Sequence, residues 1–197
     1  MAQHPIQSGV LEVFCGPMKS GKTREIINRV DKIDFLEDHE YAFFKPEVDT
    51  RNEHVESRFG DLKVLCERIP QDKPGQILER VNGESIVAID EAQFFTQSLV
   101  NTVKALLHDG RNVVVAGLDL DFKGEGFGPM PTLLCLADRV TKLTAICDHP
   151  GCSELGSRTQ RLIDGAPAPR TTPTVLIEGD GDETYEARCL QHHFVPD

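Results

Sequence analysis

The sequence predicts an α/β protein, with a mostly parallel sheet and helices on both faces over residues 9–145 and a small metal-stapled subdomain over 146–197. Three observations carry that expectation. Strand-like and helix-like stretches alternate from residue 10 to about 145, the order that parallel strands require because each crossover needs a long connection, usually a helix. The strands are apolar on both faces and rich in β-branched residues, as they are when helices cover a sheet on each side. From Ala145 onward aliphatic runs shorten, Gly and Pro become frequent, and three of the six cysteines fall after residue 146.

Val10–Phe14 is a short apolar run ending in a glycine turn, and the helix that follows sets Ile26, Val30 and Ile33 on one face. Tyr41–Lys45 reads as a second strand, closed by Pro46. Ser85–Ile89 (S-I-V-A-I) reads as a fully buried strand, and two acids follow it at once. Leu99, Val103 and Leu106 stand at i, i+4 and i+7 of a helix that stops at Asp109-Gly110 and leads into the strand Asn112–Ala116. Gly165–Pro173 (G-A-P-A-P-R-T-T-P) can be neither helix nor central strand, because its prolines remove backbone donors.

A chain of 197 residues buries roughly 70% of its unfolded surface and needs no disulfide staples. The net charge of −11 argues against a nucleic-acid binder, which carries a basic face. A local anion site remains compatible with it. No apolar run approaches the ~20 residues that span a bilayer, and Met1–Gly9 lacks a signal-peptide pattern. A cytoplasmic protein without membrane or nucleic-acid partners is therefore expected. In a reducing compartment clustered cysteines read as metal ligands. Cys15, Cys66 and Cys135, in or beside apolar stretches, read as packing residues.

The strongest motif is Gly16-Pro17-Met18-Lys19-Ser20-Gly21-Lys22-Thr23, a full G-x-x-x-x-G-K-[ST] phosphate loop between a buried strand and an amphipathic helix. Its glycines let backbone N–H groups curl around phosphates, and the helix N-terminus adds its positive dipole end. Lys22 would reach the β/γ-phosphates of ATP, and the Thr23 hydroxyl would ligate Mg²⁺. These features predict a P-loop (RecA-like) domain.

Asp90-Glu91-Ala92-Gln93 closes the Ser85–Ile89 strand. An acid there sits beside the phosphate loop and serves Mg²⁺, which fits Asp90. Glu91 could orient or deprotonate an attacking group, either a water or a substrate hydroxyl. The third motif is Cys147-x4-Cys152 with Cys189-x2-His192, two short-range pairs suited to a structural tetrahedral Zn²⁺. The C-x2-H spacing favours His192, with His149 and His193 as rival nitrogens.

Over about residues 9–194 the sequence resembles the type II thymidine kinases. G-P-M-K-S-G-K-T is similar to that family's phosphate loop, and D-E-A-Q-F-F to the segment carrying its catalytic Glu. G-L-D-L-D-F, F-G-P-M-P and A-D-x-V-x-K-L-T-A-I-C follow in the family's order. The resemblance implies that Glu91 is the base for the 5′-hydroxyl of thymidine, with Lys22 and Arg51 beside the transferred phosphate. It also implies that Met18, Phe94, Leu118, Phe122, Phe127, Thr159 and Tyr185 wall the nucleoside pocket. A "lasso" between the zinc pairs would grip the base through its backbone. The family feeds DNA synthesis by nucleoside salvage, is commonly a homotetramer, and is feedback-inhibited by dTTP.

Beside a different transferase on the same core that uses ATP on another acceptor, two other readings remain on the residues alone. One is a P-loop ATPase whose Glu91 activates water and whose zinc region docks a partner. The other is a zinc-stapled nucleotide sensor, which has no need of a base.

Overall fold

A computed structural model describes residues 9–31, 40–48, 54–56, 63–175 and 183–197. In chain order its elements are β1 (Leu11–Cys15), α1 (Lys22–Asp31), β2 (Tyr41–Pro46), β3 (His54–Glu56), β4 (Lys63–Leu65), β5 (Glu67–Ile69), α2 (Gln76–Arg80) and β6 (Ile86–Ile89). There follow α3 (Leu99–His108), β7 (Asn112–Gly117), α4 (Met130–Leu136), β8 (Arg139–Lys142), β9 (Ala145–Ile146), β10 (Leu155–Gly156), β11 (Arg158–Ile163), β12 (Ala166–Pro167) and β13 (Glu183–Arg188).

The main sheet runs β5-β2-β6-β7-β1-β8, and every neighbouring pair in it is parallel. Successive side chains of its strands go to opposite faces, and the burial follows that period. On one face Val13, Val87, Ile89, Val113 and Val115 pack with Ile77 of α2, Leu99, Val103 and Leu106 of α3, and Met130 and Leu133 of α4. On the other, Phe14, Phe43, Ala88, Val114 and Ala116 pack with Ile26, Ile27 and Val30 of α1. Full burial of each such aliphatic side chain stabilises the fold by about 1.5–3 kcal/mol. Helices therefore cover both faces, as the two-face apolar strands predict. Ile33 lies outside the described residues.

The strand–helix alternation is borne out, with β1, α1, β2, β6, α3 and β7 each within a residue or two of its expected place. Two main-sheet edge strands, β5 and β8, and the short helix α4 add to it. β7 lies between β1, which leads into the phosphate loop, and β6, which ends at Asp90. Because all six strands point the same way, the loops after β1, β2, β6 and β7 gather at one edge, where α/β sheets bind ligands.

Beyond residue 145 the chain forms two small antiparallel sheets, β10-β9 and β12-β11-β13. Within Gly165–Pro173 only the two-residue edge strand β12 pairs, against β11, which agrees with its proline content. Of the lasso between the zinc pairs, residues 176–182 lie outside the described residues. Cys15 is buried and Cys66 half-buried, but Cys135 is exposed. The packing reading fails at Cys135 because α4 turns Met130 and Leu133 inward and leaves that thiol on its solvent side.

Candidate active site

The phosphate loop joins β1 to α1 through backbone that only some residues tolerate. Gly16 has φ 141° and Gly21 φ 88°, and a Cβ at Gly16 would collide with the Leu143 carbonyl. Lys22 opens α1 almost fully buried, and its ammonium donates to the Pro17 carbonyl at 2.7 Å. Burial holds its pKa below the usual lysine value, against the pull of Glu91, Asp90 and Asp119. The Thr23 hydroxyl donates to Asp90 Oδ2 at 3.2 Å, so the loop and the end of β6 meet as the motifs predict.

Asp90 is buried at the end of β6. Burial and the neighbouring Glu91 charge raise its pKa to about 7, outweighing the Glu91 N–H, Lys22 and Thr23. A cation alongside would remove that bias. Glu91 sits at φ 50° and turns its carboxylate toward Gln93, whose Nε2 donates to Glu91 Oε2 at 2.6 Å. Gln93 is itself buried and accepts the Leu118 N–H at 2.9 Å through Oε1. Gly128, at φ 52°, leaves no room for a Cβ against the Gln93 carbonyl. Gln93 thus couples Glu91 to the segment after β7.

Leu118, Phe122, Phe127 and Thr159 are buried, and Met18, Phe94 and Tyr185 half-buried. Phe94 and Phe127 meet edge to face at 5.7 Å. Thr159 Oγ1 accepts the Met18 N–H at 3.1 Å, which brings β11 against the phosphate loop. Phe122 rides on a tight turn in which Asp121 Oδ1 accepts the N–H groups of Lys123 and Glu125. Ala92 is buried beneath the 3₁₀ turn that carries Gln93 and Phe94. Arg51 lies outside the described residues.

One site group has no sequence signal. Arg161 is fully buried, with its guanidinium 5.2 Å from the Phe122 ring centroid and 5.8 Å from that of Tyr185. It pairs with Glu183 and donates to the Pro173 carbonyl at 2.6 Å, while its Nη2 has no hydrogen-bond partner among the described residues. A basic residue in the polar run R-T-Q-R reads as solvated until the sheet pairing is known. Burial pushes the Tyr185 phenol up to about 12, so it stays protonated and donates to Glu183 Oε1 at 3.0 Å.

Cys147, Cys152, Cys189 and His192 bring their ligand atoms within 4.8 Å of one another. Cys189 Sγ and Cys147 Sγ lie 3.2 and 3.8 Å from His192 Nδ1. A tetrahedral zinc with its usual bond lengths sets S and N about 3.6 Å apart, so the donor set fits. Burial pushes the Cys147 thiol up, but the Cys189 and His149 N–H groups and the His192 ring outweigh it and bring it to about 6. The thiolate is the form that binds metal. The rival histidines are otherwise engaged: His149 stacks on His192 at 3.9 Å, and His193 Nε2 donates to the Phe122 carbonyl at 2.9 Å.

A lysine-bearing phosphate loop facing a buried carboxylate across an inserted strand defines a P-loop nucleotide-binding protein of RecA-like fold. The family model described as thymidine kinase matches residues 9–193. A thymidine kinase of Coprothermobacter proteolyticus is 47% identical over 190 residues, spanning 96% of this chain and 93% of that protein. The chain belongs to the thymidine kinase family.

Proposed function

We propose that the site transfers the γ-phosphoryl group of ATP to the 5′-hydroxyl of thymidine, with Glu91 as the base. Family membership makes the chain an enzyme, a thymidine kinase that takes a nucleotide and thymidine. The observation that carries the catalytic assignment is the fixed Glu91 carboxylate, held by Gln93 beside Asp90 and the phosphate loop.

In this reading the Gly16–Thr23 backbone cradles the triphosphate and Lys22 leaves the Pro17 carbonyl for the β/γ-phosphates. Thr23 and Asp90 would hold Mg²⁺, which neutralises charge on the phosphate oxygens. Glu91 aims the 5′-hydroxyl in line and takes its proton as the bond forms. Arg51 would neutralise charge on the transferred group. Phe94, Phe122, Phe127 and Tyr185, with Met18, Leu118 and Thr159, would form the flat apolar slot for the thymine and sugar.

Cys147, Cys152, Cys189 and His192 would hold a structural zinc that staples residues 146–197 as a unit apart from the 9–145 domain. Feedback by dTTP, a homotetramer and a cytoplasmic location belong to the same proposal. Among the described residues no helix is long and apolar enough to cross a membrane.

The decisive test is ADP release from Mg-ATP with and without thymidine. ADP matched mole for mole by thymidine monophosphate, and absent without thymidine, is the expected result. Equal ADP in both cases would make the protein an ATPase. Chelating zinc is expected to weaken thymidine binding before the α/β domain unfolds, as followed by thymidine titration beside thermal unfolding. Loss of both in one cooperative transition would overturn the division at residue 145.

A further inference from the structure

We propose that Asp148 is a positioning residue for the phosphate loop, the point through which order at the metal cluster reaches the nucleotide. The inference rests on reading Gly16–Thr23 as the nucleotide site. Asp148 directly follows Cys147 of the cluster. Its backbone N–H donates to the Ala187 carbonyl at 2.8 Å. Its carboxylate Oδ2 accepts the Ala187 N–H at 2.7 Å and the Lys19 ammonium at 2.8 Å. Ala187 is fully buried and stands two residues before Cys189. Asp148 therefore ties the segment that carries Cys147 to the one that carries Cys189 while it reaches into the phosphate loop.

Lys19 is at the loop's tip and has φ 63°, a left-handed conformation that disfavours a non-glycine residue. Such backbone persists only where its surroundings impose it. Part of those surroundings comes from the second region and from the segment that leads into it. Besides the Lys19–Asp148 pair, Met18 N–H donates to Thr159, and Thr159 pairs in register with that same Ala187 across β11 and β13. Leu143 N–H donates to the Cys15 carbonyl at 2.7 Å, and the Leu143 carbonyl lies against Gly16. Residues 15, 16, 18 and 19 are thus all touched from Leu143 onward, and two of the contacts converge on Ala187. A cluster that fixes Cys147 and Cys189 fixes Asp148 and Ala187, and these set the loop before nucleotide arrives. The Lys19 side chain faces Asp148, and the side chains of that pair are only about one-third exposed (37% and 30%).

The test is equilibrium ATP binding to zinc-loaded full-length protein, unaltered and as Lys19→Met, Asp148→Asn and the double variant. Each single variant is expected to weaken ATP roughly three- to fivefold, the scale of one partly exposed charged pair. The double variant should be no weaker than either. KM for ATP should rise with KM for thymidine unchanged, a split that general destabilisation does not produce. Chelating the metal should weaken ATP more in the unaltered protein than in Lys19→Met, which keeps only the Met18–Thr159 route to Ala187. Unchanged affinity in the single variants, multiplied losses in the double, or equal chelation effects in both proteins would overturn the proposal. If Asp148→Asn fails to retain zinc, Lys19→Met decides alone by the same criteria, since it leaves the cluster untouched. Failure of the unaltered protein to bind ATP would overturn the nucleotide-site reading first, and this inference with it.

Discussion

Replacing Glu91 by Gln is expected to lower turnover by more than ~100-fold, within the range of a lost general base, while ATP binding stays within about twofold. The substitution keeps the shape of the side chain. Its amide oxygen still accepts from Gln93 Nε2, which lies 2.6 Å from Glu91 Oε2, so the Gln93–Leu118 contact at 2.9 Å has no reason to shift. The left-handed backbone at φ 50° is equally open to either residue. What disappears is the capacity to take a proton from the attacking hydroxyl. Steady-state turnover with thymidine and equilibrium titration with ATP read the two effects apart. Turnover like that of the unaltered protein would remove Glu91 from the base role.

Replacing Arg161 by Ala is expected to destabilise the protein by about 3 kcal/mol, the lower end of the cost of breaking a buried ion pair. For a chain of this length that is roughly 6–12 °C in thermal midpoint. The guanidinium is fully buried, and its removal takes the cationic partner from the Glu183 carboxylate, leaving it the Tyr185 hydroxyl, and the guanidinium donor from the Pro173 carbonyl. Glu183 keeps 22% of its side chain in solvent, which holds the cost at the lower end. It also opens a cavity between Phe122 and Tyr185. Arg161→Met with Glu183→Gln should recover at least half of the loss, because a buried pair replaced as a whole by groups of similar volume is often neutral. Thermal unfolding of the single and double variants measures both quantities. A single-variant loss below about 1 kcal/mol would show that the pair barely offsets its own desolvation.

These two sites differ in how far the sequence reveals them. Glu91 follows a strand, Ile86–Ile89, buried at every position, and a run of that kind ending in acids is legible without coordinates. The phosphate loop is legible for the same reason: its glycines and lysine sit at fixed offsets between a strand and a helix. Arg161 is not legible. β11 reads R-T-Q-R-L-I and shows no alternation of apolar and polar residues, and β13 reads E-T-Y-E-A-R, where only Tyr185 and Ala187 alternate with polar neighbours. Their inward positions carry Thr159, Arg161 and Tyr185 in place of aliphatic residues. Helix α4 is masked in another way, by Pro129 and Pro131 at its start. β8 is exposed at all four residues and offers no burial pattern to read. The cluster ligands are legible from spacing, but the choice of His192 over His149 and His193 rests on ring placement, which spacing only favours.

The uniform direction of the six main strands has a consequence for how the chain can change. The phosphate loop after β1 and the Asp90-Glu91 pair after β6, to which the proposed chemistry belongs, lie at one pole of the sheet. Among the described residues the opposite pole carries connections, such as the exposed turn Asn82-Gly83 ahead of β6 and the Asp109–Arg111 corner ahead of β7. Insertions, fusions or surface labels at that far pole alter nothing that the substrates meet. The molecule therefore has a working end and a handle, and the two can be modified independently.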